Sequence, residues 1–131
     1  MKKKKILIVE DEKPLADIYE EILTEVGYAI KTISSIKDAK KIAKTFAPDL
    51  LLIDHGLGNE HEENGVEGLP KLKKLFPKAI HIILSNYLWC DVQRMAAQGN
   101  YKKNLEMIDG FWHKLDILSE ELIEKVAEVL K

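Results

Sequence analysis

The run Asp49-Leu-Leu-Leu-Ile-Asp54 limits the fold more than any other stretch of this chain. Four consecutive bulky apolar residues, bounded by acids and followed by Gly56 and Gly58, predict a strand buried on both faces, as the inner strands of a parallel sheet are. Asp54 then sits at the carboxyl end of that strand, where open α/β sheets gather their ligands. A second buried-strand candidate, Ile6-Leu7-Ile8-Val9, also runs into acid, at Glu10-Asp11-Glu12. Two strands that stop in carboxylates can bring three of them to one sheet edge. Such an edge suits a hard divalent cation, with Asp54 as the residue on which chemistry happens.

The rest of the chain alternates helix and strand. Leu15, Ile18, Tyr19, Ile22, Leu23 and Val26 fall at the spacing of one helix face, with Pro14 suited to the first turn and Gly27 to a left-handed cap. Tyr28 to Ile33 reads as a second strand. Ser34 or Ser35 is placed to cap a helix carrying Ile36, Ala39, Ile42, Ala43 and Phe46, which Pro48 ends. After the central strand comes a polar loop from His55 to Asn64. A third helix follows from Val66 through Leu69, Leu72, Leu75 and Phe76, with Pro70 near its start and Pro77 just past its end. Ala79 to Leu84 is a fourth strand that stops at Ser85-Asn86, and Leu88 to Gln98 a helix ended by Gly99. Asn100 to Glu106 lacks a clear period and fits an extended loop or another helical turn. Met107 to Trp112 is the fifth strand, and the last helix starts near Ser119. Five strand-helix pairs predict a doubly wound α/β domain over residues 1–131, with a five-stranded parallel sheet in the order 2-1-3-4-5.

Composition excludes several classes of function. With 131 residues the chain is sized for one core, and a net charge of −2 gives no general affinity for nucleic acid. The basic run Lys2 to Lys5 reads as a solvated lead-in to the first strand. Apolar runs are strand-length and no signal peptide opens the chain, so the expected setting is cytoplasmic, with no membrane contact. Cys90 is the single cysteine and is expected to be a buried or half-buried inert thiol.

In the order 2-1-3-4-5 the first and third strands are neighbours, so Glu10, Asp11 and Asp54 meet above one crevice. Three carboxylates in one pocket repel one another unless a cation is present, and Mg2+ answers that need with oxygen ligands and retained waters. Ser85 and Lys114, from the ends of the fourth and fifth strands, reach the same edge. A hydroxyl and an ammonium beside a carboxylate and a metal make a receptor for a tetrahedral anion, which favours phosphoryl transfer onto Asp54.

These residues give the chain a resemblance to the receiver domain of bacterial two-component response regulators, with its flavodoxin-like fold. Ile6-Leu-Ile-Val-Glu-Asp-Glu12 is similar to the acidic signature of that family, Asp54 to its phospho-acceptor, Ser85 to its hydroxyl position and Lys114 to its lysine. The resemblance implies Mg2+ on Glu10, Asp11, Asp54 and the backbone carbonyl of Gly56. It further implies phosphate donated by a sensor histidine kinase or phosphotransfer protein, and later lost by self-dephosphorylation. Ser85 and Phe111 would form the switch that alters the binding of a downstream protein partner or produces a phosphorylation-dependent dimer. Lys131 closes the last helix, and the effect is expected to pass through another protein, with a stand-alone receiver and a piece of a longer regulator both open readings. The sequence departs from the family pattern in a longer loop after Asp54, a longer stretch between Ser85 and Lys114, Asn86 beside the hydroxyl, and Leu115 in place of the usual proline.

Other readings of the same residues stay open at this point. The fold can serve as a phosphate-independent interaction module, or as a Mg2+-dependent phosphohydrolase with Glu12 as the second acid/base. His55 and His61 with Glu60, Glu62 and Glu63 could hold a transition metal. Trp89 and Trp112 are candidate interaction anchors, and Phe111 is expected in the core on a strand buried on both sides.

Overall fold

The computed structural model describes residues 3–56, 64–114 and 119–131. Strands β1 (Lys5–Val9), β2 (Ala29–Ile33), β3 (Leu50–Asp54), β4 (Ile80–Ser85) and β5 (Gly110–His113) form one sheet in the order β2-β1-β3-β4-β5. Every pairing is parallel. Helices α1 (Lys13–Val26), α2 (Ala39–Ile42), α3 (Leu69–Leu75), α4 (Trp89–Gln98) and α5 (Ser119–Val129) cover its faces. This is the predicted doubly wound arrangement, and the run that fixed it, Leu50 to Ile53, is fully buried.

Strand alternation divides the core in two. Leu51, Ile53 and Ile83 pack with Val66, Leu69 and Val92 on one face of the sheet. On the other, Leu50, Leu52, Ile82 and Leu84 pack with Tyr19 and Leu23 of α1 and Leu122 and Val126 of α5. The same alternation, carried past the strand ends, decides which functional side chains can meet.

Gly27 ends α1 as expected, at φ 118° with its N–H bonded back to the last turn. Several boundaries differ from the sequence reading. The helix expected through Phe46 is a 3-10 turn, Ile36–Asp38, followed by the four residues of α2. Ser35 donates its hydroxyl to the Asp38 carboxylate at 2.9 Å instead of capping the backbone. Lys37, Lys40, Lys41 and Lys44 also crowd like charges at helical spacing, which disfavours a longer helix. Gly99 follows α4 at φ −90°, and the left-handed residue is Asn100 at φ 64°. A glycine is needed at position 99 for space, because a Cβ there would lie 2.2 Å from the Tyr101 ring.

The stretch after Asn100 forms a 3-10 helix, Lys102–Met107, so β5 begins at Gly110 and not at Met107. Asp109 accounts for the late start. Its carboxylate accepts the His81 N–H at 2.8 Å, the donor that a longer β5 would have used. Because β5 is an edge strand, its four residues are only half-buried, which corrects the expectation that Phe111 lies in a two-sided core. Cys90, expected to be covered, is exposed.

Candidate functional site

The β1–β3 register pairs Val9 with Ile53, so the next residues, Glu10 and Asp54, emerge side by side at the carboxyl edge. Both are buried, at 3% and 7% exposure, while Asp11 is exposed. One carboxylate oxygen from each of Glu10, Asp11 and Asp54 can lie within 4.8 Å of the others. Lys114 directly follows β5, and its Nζ reaches over the end of β4 to Asp54 Oδ1 at 2.9 Å and Glu10 Oε1 at 3.0 Å. Gly56 donates its backbone N–H to Asp54 Oδ1 at 3.2 Å, and Glu12 donates its own to Glu10 Oε2 at 3.3 Å. A cavity of about 550 Å³ lies beside Glu10 and Asp11, between the ends of β1 and β2 and helices α1 and α2.

The electrostatics follow from burying two carboxylates beside one ammonium. Burial, then the hydrogen bond and charge of Asp54, push the Glu10 carboxyl up to about 8, against the opposing pull of Lys114. Burial alone would lower the Lys114 ammonium, but its hydrogen bonds and attraction to Asp54 and Glu10 outweigh that and hold it above the ordinary lysine range. Within the cluster, burial and Asp54 thus favour the neutral form of Glu10, while the two acids favour the charged form of Lys114. An all-oxygen donor set with one member open to water fits a hard divalent ion, whose charge would take the place of a proton there.

Ser85 sits differently from what the sequence reading placed at this edge. Ile83 belongs to the α3–α4 side of the core and Leu84 to the α1–α5 side, so Ser85 shares the parity of Ile83 while Asp54 shares that of Leu52. The Ser85 hydroxyl, 1% exposed, lies 3.3 Å from Nδ1 of His55 and accepts the Tyr87 N–H at 3.0 Å. His55 itself is buried. Burial lowers the pKa of its ring below the ordinary histidine value, with the Asp54 charge acting the other way. Sequence reasoning considered His55 only as a loop metal ligand. The signal it passed over was position, since a residue directly after a buried strand is still inside the fold.

His61, Glu60, Glu62 and Glu63, the rest of that metal reading, lie outside the described residues, as does Leu115. Glu12, the acid/base of the hydrolase reading, is exposed as the N-cap of α1. Phe111 packs against Trp89, ring centroids 5.1 Å apart at 56°, so Trp89 covers the aromatic of the predicted switch. Trp112 packs against the α1–α5 side of the core, with Lys125 over its ring.

A buried acid pair, an exposed third acid and an inserted lysine at the carboxyl edge of a 2-1-3-4-5 sheet define a pocket for a cation and an anion together. Residues 6–105 match the family model described as the response regulator receiver domain. The chain belongs to that family, the receivers of two-component systems. It is similar to a CheY-like receiver domain protein from Methanospirillum hungatei JF-1, with TM-score 0.78, 24% identity, and coverage of 98% of this chain and 94% of that one. It is also similar to response regulator TrrA from Thermotoga maritima, solved in complex with Mg2+ and BeF, with TM-score 0.72, 26% identity, and coverage of 95% and 97%. A third similar structure, from Burkholderia pseudomallei, carries a phosphorylated aspartic acid, a calcium ion and citrate. There the TM-score is 0.71 and the identity 22%, over 92% of this chain and 64% of that one. The family match ends before Phe111 and Lys114, so their placement rests on the fold.

Proposed function

We propose that the chain is one phospho-accepting receiver over residues 1–131, in which Asp54 takes a phosphoryl group from a sensor histidine kinase or phosphotransfer protein. One observation carries this reading: Lys114 bridges Asp54 and Glu10 at 2.9 and 3.0 Å inside a group of three convergent carboxylates. Glu10, Asp11 and Asp54 would hold Mg2+, aided by the Gly56 carbonyl. When bound, Mg2+ supplies charge neutralisation for the phosphoryl oxygens.

In the transfer itself, a carboxylate oxygen of Asp54 attacks phosphorus as the donor's phosphorus–nitrogen bond breaks and its electron pair returns to the imidazole. Lys114, already paired with Asp54, stays with the transferred oxygens and offsets their charge. Gly56 donates its N–H to Asp54 Oδ1, which limits the rotation of the nucleophile. The carboxylate's own charge is used in the new bond, so the site gains about one net negative charge, spread over three strong acceptor oxygens. Ser85 would follow that charge and Phe111 would turn inward. The face made by α4, β5 and α5 would then change its affinity for a downstream protein or for a second copy of the chain. Catalysis is limited to return of the phosphate to water, and the proposed setting, shared with the kinase, is cytoplasmic. Among the described residues, no helix is long and apolar enough to cross a membrane.

Intact mass after incubation with acetyl phosphate tests this. A gain of one phosphoryl group is expected with Mg2+, little without it, and none in Asp54→Ala. No gain in the wild-type protein with Mg2+ would reassign the chain as a phosphate-independent interaction module.

A further inference from the structure

The residue after the acceptor is bound to the hydroxyl that must move. His55 is fixed at both ends of its backbone, its N–H donating to the Leu84 carbonyl at 2.8 Å and its carbonyl accepting the Gly65 N–H at 3.1 Å. Its ring is 3% exposed and meets Tyr87 edge-on, with centroids 6.0 Å apart at 80°. That leaves Nδ1 3.3 Å from Ser85 Oγ, and the same oxygen accepts the Tyr87 N–H at 3.0 Å. His55 and Ser85 share the α3–α4 side of the sheet by alternation, and Asp54 belongs to the α1–α5 side. A Ser85 hydroxyl moving toward a group on Asp54 must therefore leave His55.

The geometry points to His55 as a positioning residue: a latch that holds Ser85 in the resting arrangement and sets how readily the pocket accepts a phosphoryl group. This deepens the phospho-acceptor reading and rests on it. The latch does not depend on which of the two groups donates, since either direction of the hydrogen bond is lost when Ser85 moves. A neutral hydrogen bond of ordinary strength makes the resting state about threefold to tenfold more populated than it would otherwise be.

The test uses the full chain and beryllofluoride with Mg2+, with affinity measured by titration calorimetry. His55→Phe removes the hydrogen bond while keeping a ring against Tyr87, and should bind about threefold to tenfold more tightly than wild type. His55→Asn can place an amide near the position of Nδ1 and should restore affinity to within about twofold of wild type, a range of only about 0.4 kcal/mol. In a Ser85→Ala background His55→Phe should change nothing, because the latch acts through Ser85. Equal affinity of His55→Phe and wild type, or the same gain without Ser85, would overturn the proposal. Should His55→Phe fail to fold, His55→Leu carries the same comparison. The Nδ1 nitrogen resonance of ligand-free His55 should also shift in Ser85→Ala, and an unchanged resonance overturns the latch whatever binds at Asp54. If wild type binds no beryllofluoride, the phospho-acceptor reading falls with the latch; if it binds and His55→Phe matches it, only the latch falls.

Discussion

At the scale of single residues, the site is a problem of charge in a confined space. Glu10 and Asp54 are tolerable together because Lys114 lies within 3.0 Å of both and because burial and the Asp54 charge push the Glu10 carboxyl toward its neutral form. Lys114→Met removes the cation and leaves two buried acids facing each other, so it should lower unfolding stability by about 3 kcal/mol. Adding Glu10→Gln should recover part of that loss, and urea denaturation of the three proteins measures both effects. His81 is a second residue with a defined response. Burial, and then the charge of Lys73, hold its ring below the ordinary 6.5, partly countered by the Ala79 and Leu72 carbonyls and by Asp109. The unfolded chain thus takes up a proton below pH 6.5 that the folded chain refuses, so His81 subtracts stability as pH falls below 6.5 and is neutral in effect above it. The loss should approach about 1.4 kcal/mol per pH unit. Melting curves between pH 7 and 5 should be less steep in pH for His81→Leu than for wild type.

At the scale of elements, glycines separate two kinds of constraint. A Cβ at Gly27 would meet nothing within 4 Å, so only its left-handed backbone is at stake. Gly27→Ala should cost about 1–2 kcal/mol and leave the site unchanged. A Cβ at Gly65, in contrast, would lie 2.2 Å from the Asp54 carbonyl oxygen and 2.9 Å from Ile53 Cγ2. Gly65→Ala must push the backbone off the end of β3. It should cost about 1–3 kcal/mol and weaken Mg2+ binding as well, which calorimetry on the folded variant would show. The segment after α4 is also tied to this region, since Asn64 donates to the Tyr101 hydroxyl at 3.1 Å and Asn104 to the Val66 carbonyl at 3.1 Å. Tyr101 and Asn104 thus pack against the turn at residues 64–67.

At the scale of the whole molecule, the sheet edge gathers groups from β1, β3 and the end of β5, so a ligand there binds the folded chain and not the unfolded one. Mg2+ at ten times its dissociation constant should add about 1.4 kcal/mol and raise the melting temperature by about 3–6 °C. That rise should vanish in Asp54→Ala. The sequence by itself determined the parallel sheet, because Leu50 to Ile53 and Ile6 to Val9 can be buried only between helices; its order was the commoner choice for five strand-helix pairs, and the structure has it. It also determined the end of α1, since Gly27 is the residue that a left-handed turn favours. Where β5 begins was decided by tertiary structure. The Asp109 carboxylate takes the His81 N–H there, across a separation along the chain that no local pattern encodes. The partner of Ser85 was decided in the same way. Spacing along the chain places a hydroxyl at the sheet edge, but only the packing of the strand between two helical layers brings it to His55.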